Sequence, residues 1–556
     1  YNQQEKIFGG LKLWGDVSNR FLNDRLGVIL NVNYESRYGG DDWVRTGYRE
    51  FESSPPGEGT YILGSLNVFD QLIATENIGG SLVVDYDLLN GQLLFTSMLS
   101  NTTPEEQQYR ENLEIWRNYH YAFVNRSKYA SLLLNNSLRL EQQIGIVKLD
   151  AGISNTSIDR EFDFRYANRF KDAQDPLPFF ADSIIDSKRL AMDPLDIYDA
   201  LDTSSAFTAR YYETTIIPTD YNENQWLADL NVEIPLRISD NIDMNFKFGG
   251  KYIRKDRNYD EELMIDYYPN VVYAVNLEIA DWLNEKGLEN DGSAFFLRDI
   301  RDYDYEPNEG FMNGQPYHFD WVIDVDFMDE MWLHQVNLDP ETTNLVSDSR
   351  DARFDYWGWE SKTAAYAMAE INLGKRLTII PGVRFEQLHN EYSAYKIGQN
   401  TMYNWQIRDT LTRPADHNHL LPHLHIRFRA TDWWDIRFSY NNTLSRPDYF
   451  HAIPVVYYHE ISGEAKAGNP NIKPAVSENF DANFTLYSRR LGLITIGVYY
   501  KEINDIFYMQ PTLMKNIPDT TIIAEFPIET YPSLLTNSSD FYLNSPYTAY
   551  LKGLEL

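Results

Sequence analysis

Apolar and polar residues alternate with a period of two over stretches of about ten residues, and the stretches come in pairs. The clearest pair runs from Trp226 to Tyr252. Trp226, Ala228, Leu230, Val232, Ile234 and Leu236 mark one face, and Gln225, Asp229, Asn231 and Glu233 the other. A short polar turn, Arg237 to Asn241, is followed by Ile242, Met244, Phe246, Phe248 and Tyr252 against Asp243, Asn245, Lys247 and Lys251. Period two predicts strands, and the short turn predicts a hairpin. About ten residues is what a tilted strand needs to cross a bilayer. A lone hairpin fits a soluble sandwich equally well, so repetition has to decide.

The pattern repeats. Leu11, Leu13, Gly15 and Val17 pair with Leu26, Val28, Leu30, Val32 and Tyr34 across Ser18 to Arg25. Gly80, Leu82, Val84 and Tyr86 return as Leu93, Phe95 and Leu99 across Asn90-Gly91, a tight-turn pair. A less regular hairpin spans Leu132 to Ile153, and an Asp- and Pro-rich insertion is expected from Asn155 to Thr208. After the Trp226 pair come hairpins around Gly374-Lys375, Ala430 to Asp432 and Arg489 to Gly492, then a lone strand, Tyr547 to Leu556. Short turns alternate with long polar loops, and about fifteen strands result. The face opposite the apolar one carries Lys247, Lys251, Arg384, Glu386, His423, His425, Arg427, Arg437 and Asp481. Charges facing a dry core would cost several kcal/mol each. The fold expected is therefore all-β: a transmembrane antiparallel barrel over residues 1–556, apolar face to lipid, polar face to the lumen, with long extracellular loops.

Composition agrees. Aromatic residues make up 15% of the chain and 40 of them are Tyr, a residue suited to surfaces apolar on one side and wet on the other. Mean hydropathy is −0.47, and no apolar run is long enough for a membrane helix, which leaves a barrel open. The absence of Cys rules out disulfides, thiolate metal sites and a Cys nucleophile. A net charge of −33 argues against nucleic acid as a partner. Tyr1 to Glu5 has neither the basic start nor the apolar core of a secretion signal, so a processed or longer protein is expected.

The second half carries a resemblance. Trp359-Glu360-Ser361-Lys362, Pro381-Gly382-Val383-Arg384-Phe385-Glu386, Leu444-Ser445-Arg446-Pro447, Gly468-Asn469-Pro470-Asn471-Ile472-Lys473-Pro474 and Tyr499-Tyr500-Lys501 stand in order. This series, closed by Leu551 to Leu556, resembles the barrel of TonB-dependent outer-membrane receptors of the Bacteroidetes type. The resemblance implies a 22-stranded barrel, of which this chain would be an incomplete stretch, with an N-terminal plug upstream. It implies active import of a scarce ligand, such as a ferric siderophore, glycan or peptide, across the bacterial outer membrane. The implied partners are a TonB-type energising complex of the inner membrane and, for a glycan, a surface lipoprotein lid. Two rival readings stay open: a non-transporting barrel that assembles or anchors surface proteins, and a soluble β-rich glycan-binding or glycan-cleaving protein.

Candidate chemistry is sparse. Residues 255–350 form the most acidic loop, with 23 Asp and Glu against 6 Lys and Arg. Within it, Asp302, Asp304, Tyr305, Glu306 and Glu309 are the ligand-binding candidates. Their carboxylates suit a hard cation, but the spacing lacks the Gly of an EF-hand, and a solvated loop is the simpler reading. Val275, Ile279, Trp282 and Leu283 predict a short amphipathic helix on the barrel mouth. His423, His425, Arg427 and Arg437 are expected to face the lumen; two His at i, i+2 on a strand could bind a metal, but with basic neighbours and no carboxylate at hand a lumen or plug contact is the simpler reading. His417 and His419 are assigned to the preceding loop. Asn469-Pro470 and Pro474 read as chain punctuation. No catalytic constellation or cofactor motif stands out, so no enzyme activity and no cofactor are expected.

Overall fold

The computed structural model describes residues 10–50, 61–115, 119–171, 194–195, 209–267, 277–288, 296–305, 311–314, 317, 319, 322–337, 346–347, 351–401, 404–459, 465–488, 492–513, 524–526, 529 and 538–556. In chain order the strands are β1 (Gly10–Phe21), β2 (Leu26–Glu50), β3 (Tyr61–Leu88), β4 (Gly91–Glu114), β5 (Tyr119–Ile144), β6 (Val147–Lys171), β7 (Arg210–Ile216), β8 (Thr219–Ser239), β9 (Ile242–Glu261), β10 (Met264–Tyr267) and β11 (Val346–Ser347). They continue as β12 (Tyr356–Leu373), β13 (Leu377–Thr401), β14 (Asn404–Thr431), β15 (Trp434–Ser445), β16 (Val456–His459), β17 (Ala465–Ala467), β18 (Ala475–Ser488), β19 (Gly492–Asn504), β20 (Phe507–Leu513), β21 (Ser538–Asn544) and β22 (Ala549–Glu555). Fifteen of these make one antiparallel wall: β1 to β6, then β8, β9, β12, β13, β14, β15, β18, β19 and β22, each bonded to the next. Among the described residues β1 and β22 do not pair with each other, so the wall has two free edges.

Register fixes the two faces. In β8 and β9, Val232 lies opposite Phe248 and Ile234 opposite Phe246, while Glu233 lies opposite Lys247. In β13 and β14, Ile379 meets Ile426 and Pro381 meets Leu424, while Thr378 meets Arg427 and Gly382 meets His423. The apolar row is exposed although apolar: Phe248 is 38% exposed, Ile436 39% and Phe438 37%. A water-soluble body would bury these rings. Their exposure in a continuous band marks a surface that meets hydrocarbon.

The strands run well past the apolar band at the long-loop end. β6 continues to Lys171, so Asn155 to Lys171, expected as loop, is strand. β9 continues to Glu261, so the acidic loop starts later than Lys255. β14 begins at Asn404 and takes in His417 and His419.

The acidic loop builds a small core of its own. Helices Leu277–Glu285 and Val325–Val336 bring Leu283, Met328 and Met331 together with Leu297, Ile300 and Ile323. This cap packs on Leu66 and Val68 of β3, Tyr109 and Leu113 of β4, Val124 of β5 and Phe170 of β6. The predicted helix is present, and Val275 lies outside the described residues. In register these wall residues continue the lipid-facing row, which an extra residue, Asp163, carries past a β6 bulge. The cap therefore stands against the outer side of the wall.

Candidate functional site

The best-built polar arrangement lies on the inner face near the long-loop end. Register aligns Glu223 of β8, Arg257 of β9, Gly358 of β12 and Tyr392 of β13 in one row. Gly358 is the key: a Cβ there would lie 2.5 Å from Cδ1 of Tyr392, so only a glycine lets that ring lie across it. The Tyr392 hydroxyl then accepts from Arg257 Nη1 at 3.1 Å and donates to Glu360 at 2.8 Å. Arg257 Nε donates to Glu223 at 2.6 Å, and Tyr221 donates to the same carboxylate at 2.9 Å. Such a buried guanidinium is tolerable because carboxylates of Glu223 and Glu360 stand beside it and Nε and Nη1 both have acceptors.

A segment of chain folds back onto this row. After β15, Arg446 pairs with Glu386, which also takes a 2.7 Å bond from Arg384. Asp448 caps a four-residue helix, Tyr449–Ala452, by accepting from the Phe450 N–H at 3.0 Å. Tyr449 lies under the Arg257 guanidinium, 3.9 Å from ring centroid to Cζ. Asn469 is buried, accepts from the Asn471 N–H at 3.0 Å and donates to the Tyr542 carbonyl at 2.8 Å. Its role is structural, as its place beside Pro470 predicts. Between wall and segment is a cavity of about 380 Å³. Lys255, Arg257, Lys362 and Arg446 line it against Glu360 and Asp448, so it is richer in cations than a chain of net charge −33 would suggest.

Lower on the same face, β14 carries His417, His419, His423 and His425 in one column, alternating with lipid-facing Leu420, Leu424 and Ile426. Register puts His423, His425, Arg427 and Arg437 on the face opposite the apolar row. Arg427 and Arg437 face each other directly. Like charges in that position repel, and Asp435 offsets this by binding Arg427 at 2.6 Å and Arg437 at 3.5 Å.

The acidic run serves the cap. Asp302 accepts from the Asp304 N–H at 3.0 Å, closing a turn. Tyr305 packs edge-on against Tyr109 at 5.2 Å and donates to Asp70, whose carboxyl burial pushes above its ordinary range. Glu306 and Glu309 lie outside the described residues. Among the described residues no three His, Asp or Glu side chains converge as a metal site. Sequence reasoning missed the Arg257, Tyr392 and Tyr449 cluster, because its members sit on three separate elements. The one usable signal was Gly358 interrupting a strand rich in aromatics.

A sheet with a hydrocarbon-facing apolar row outside and an ion-paired polar row inside defines the wall of a transmembrane β-barrel. Residues 150–556 match the family model for the TonB dependent receptor-like β-barrel, and the chain belongs to that family, whose members are proteins of the bacterial outer membrane. No curated protein matches the sequence. Among solved structures, the chain is similar to the hemophore receptor HasR of Serratia marcescens, in complex with its hemophore HasA and heme. The identity there is 9% and the TM-score 0.40, with 98% of this chain and 60% of that one covered. The closed form of the ferric-catecholate import receptor Fiu of E. coli K12 is similar at 10% identity and a TM-score of 0.48, covering 98% and 61%. The alcaligin receptor FauA of Bordetella pertussis is similar at 9% identity and a TM-score of 0.36, covering 98% and 57%. The chain thus spans 57–61% of the length of these receptors.

Proposed function

We propose that this chain is the wall of a receptor that imports a scarce ligand across the outer membrane. The observation that carries the reading is the inner-face cavity between Arg257, Tyr449 and Arg446. It combines an aromatic platform, fixed cations and acceptor carboxylates at the mouth of the lumen. Such a mix suits a ligand with ring faces and hydroxyl or carboxylate oxygens. Ferric siderophores, oligosaccharides and short peptides all carry these features. Family membership supports energising by a TonB-type complex of the inner membrane and gating by a plug. For a glycan ligand, a surface lipoprotein lid belongs to the same proposal. The unpaired edges of β1 and β22 support completion of the cylinder by further strands, since exposed backbone groups in hydrocarbon are not viable. The work is binding and gating, with no covalent step.

The test is calorimetry of the detergent-purified receptor against a panel of ferric siderophores, oligosaccharides and peptides. Binding of one class, weakened at least tenfold by Arg257→Ala and by Tyr449→Ala, is the expected result. Binding that neither substitution alters would place recognition elsewhere and overturn the reading.

A further inference from the structure

We infer that His423, His425 and Met368 form a copper(I) site on the inner wall, at the level of the apolar band. The site stands whatever the receptor imports. Register puts Met368 of β12 and His423 of β14 on either side of Gly382 of β13. A Cβ on Gly382 would lie 2.5 Å from His423 Nε2 and 2.8 Å from Met368 Cβ. The imidazole nitrogen and the root of the thioether chain therefore share the space above one glycine. Met has three rotatable bonds and a polarisable sulfur, so its Sδ can close on an ion in that space.

The second imidazole is in position. His423 and His425 are two apart on one strand, and their ring centroids are 5.5 Å apart. With metal–nitrogen bonds of about 2 Å, each centroid sits about 3 Å from a shared ion, so two rings can meet one ion at roughly this separation. His425 is exposed to the lumen and His423 half-buried, which gives an entry path on one side and a fixed ligand on the other. None of the three side chains makes a hydrogen bond or ion pair with another described residue.

The surrounding charge does not oppose a cation. Arg427 is held by Asp435, Arg384 by Glu386, and Lys247, beside Met368, by Glu233 at 3.1 Å. The donor set chooses the metal. Imidazole accepts several transition metals, but a thioether in place of a carboxylate favours the soft ion copper(I) over zinc or iron. With no Cys in the chain, Met supplies the only sulfur.

The experiment uses the full receptor in detergent, titrated with copper(I) made from copper sulfate and excess ascorbate, against a chromophoric copper(I) chelator. One ion per chain is expected. His423→Gln and His425→Gln should each weaken copper(I) at least tenfold, and Met368→Leu should do the same while leaving any zinc binding unchanged. Heat-modifiable migration on gels checks that each variant is a folded barrel. X-ray absorption on the unsubstituted protein reads the ligands without any variant: two nitrogen scatterers and one sulfur are expected. A spectrum without sulfur, no stoichiometric copper, or copper retained by the double histidine variant would each overturn the site.

Discussion

At the scale of single residues, small side chains decide where large ones lie. Gly358 gives Tyr392 the room to reach Arg257, and Gly382 gives His423 room to lie over β13. Gly468 is tighter still, because a Cβ there would run into the Ile453 carbonyl oxygen. Gly468→Ala is expected to displace the segment from Arg446 to Pro474 at a cost of about 1–3 kcal/mol. The readout is faster proteolysis of that segment in a barrel that still migrates as folded. Asp355 has a different consequence. It accepts from the Glu261 N–H at 2.8 Å while Asp351 accepts from the Leu263 N–H at 2.7 Å, so the two clip the stems of the cap-bearing loop together. Burial, with Asp260, Asp351 and Glu261 nearby, pushes the Asp355 carboxyl up to about 7. A raised carboxyl binds its proton more tightly folded than unfolded. Its contribution to stability is greatest at acid pH and is lost as pH rises through about 7. Protection factors at the Glu261 and Leu263 amides, corrected for intrinsic exchange, should therefore fall between about pH 4 and pH 7, and Asp355→Asn should flatten that dependence. An unchanged slope in the variant would remove Asp355 as the cause.

At the scale of elements, the legible part of each strand is the part that meets lipid. There the apolar row is continuous and the polar row is wet, so period two survives in the sequence. Val232→Arg, on the lipid row of β8, should cost about 2–4 kcal/mol in folding into liposomes, and Asn231→Arg, on the inner row, far less. Equal costs would show that the faces are misassigned. Beyond the band both faces are polar or packed, and the alternation fades. For that reason Asn155 to Lys171 and His417 to His419 read as loops although they are strand. What holds those extensions is backbone pairing, as in Arg126 opposite Tyr166, which leaves little trace in residue type.

At the scale of the whole molecule, the sheet separates two environments, and the chain's lack of Cys makes this easy to test. Single cysteines at Phe246, Phe248, Ile436 and Phe438 should react only with membrane-dissolved maleimides, and those at Lys247 and Arg437 only with water-soluble ones. Loss of that alternation would dismiss the transmembrane wall. The cap belongs to the same scale. Deleting Leu277 to Asn337 uncovers Leu66, Val68, Leu113 and Phe170, so the outer ends of β3 to β6 should become protease-sensitive while the labelling pattern in the band stays as before. The sequence by itself determined the membrane-level part of the fifteen wall strands, their apolar row and the family, because a lipid-facing ribbon writes its environment into every second residue. Only the tertiary structure decided that the acidic loop condenses into a cap on the outer side, and that Arg257, Tyr392 and Tyr449 meet inside. Those contacts join residues far apart in the chain, and their geometry depends on register, which no local pattern encodes.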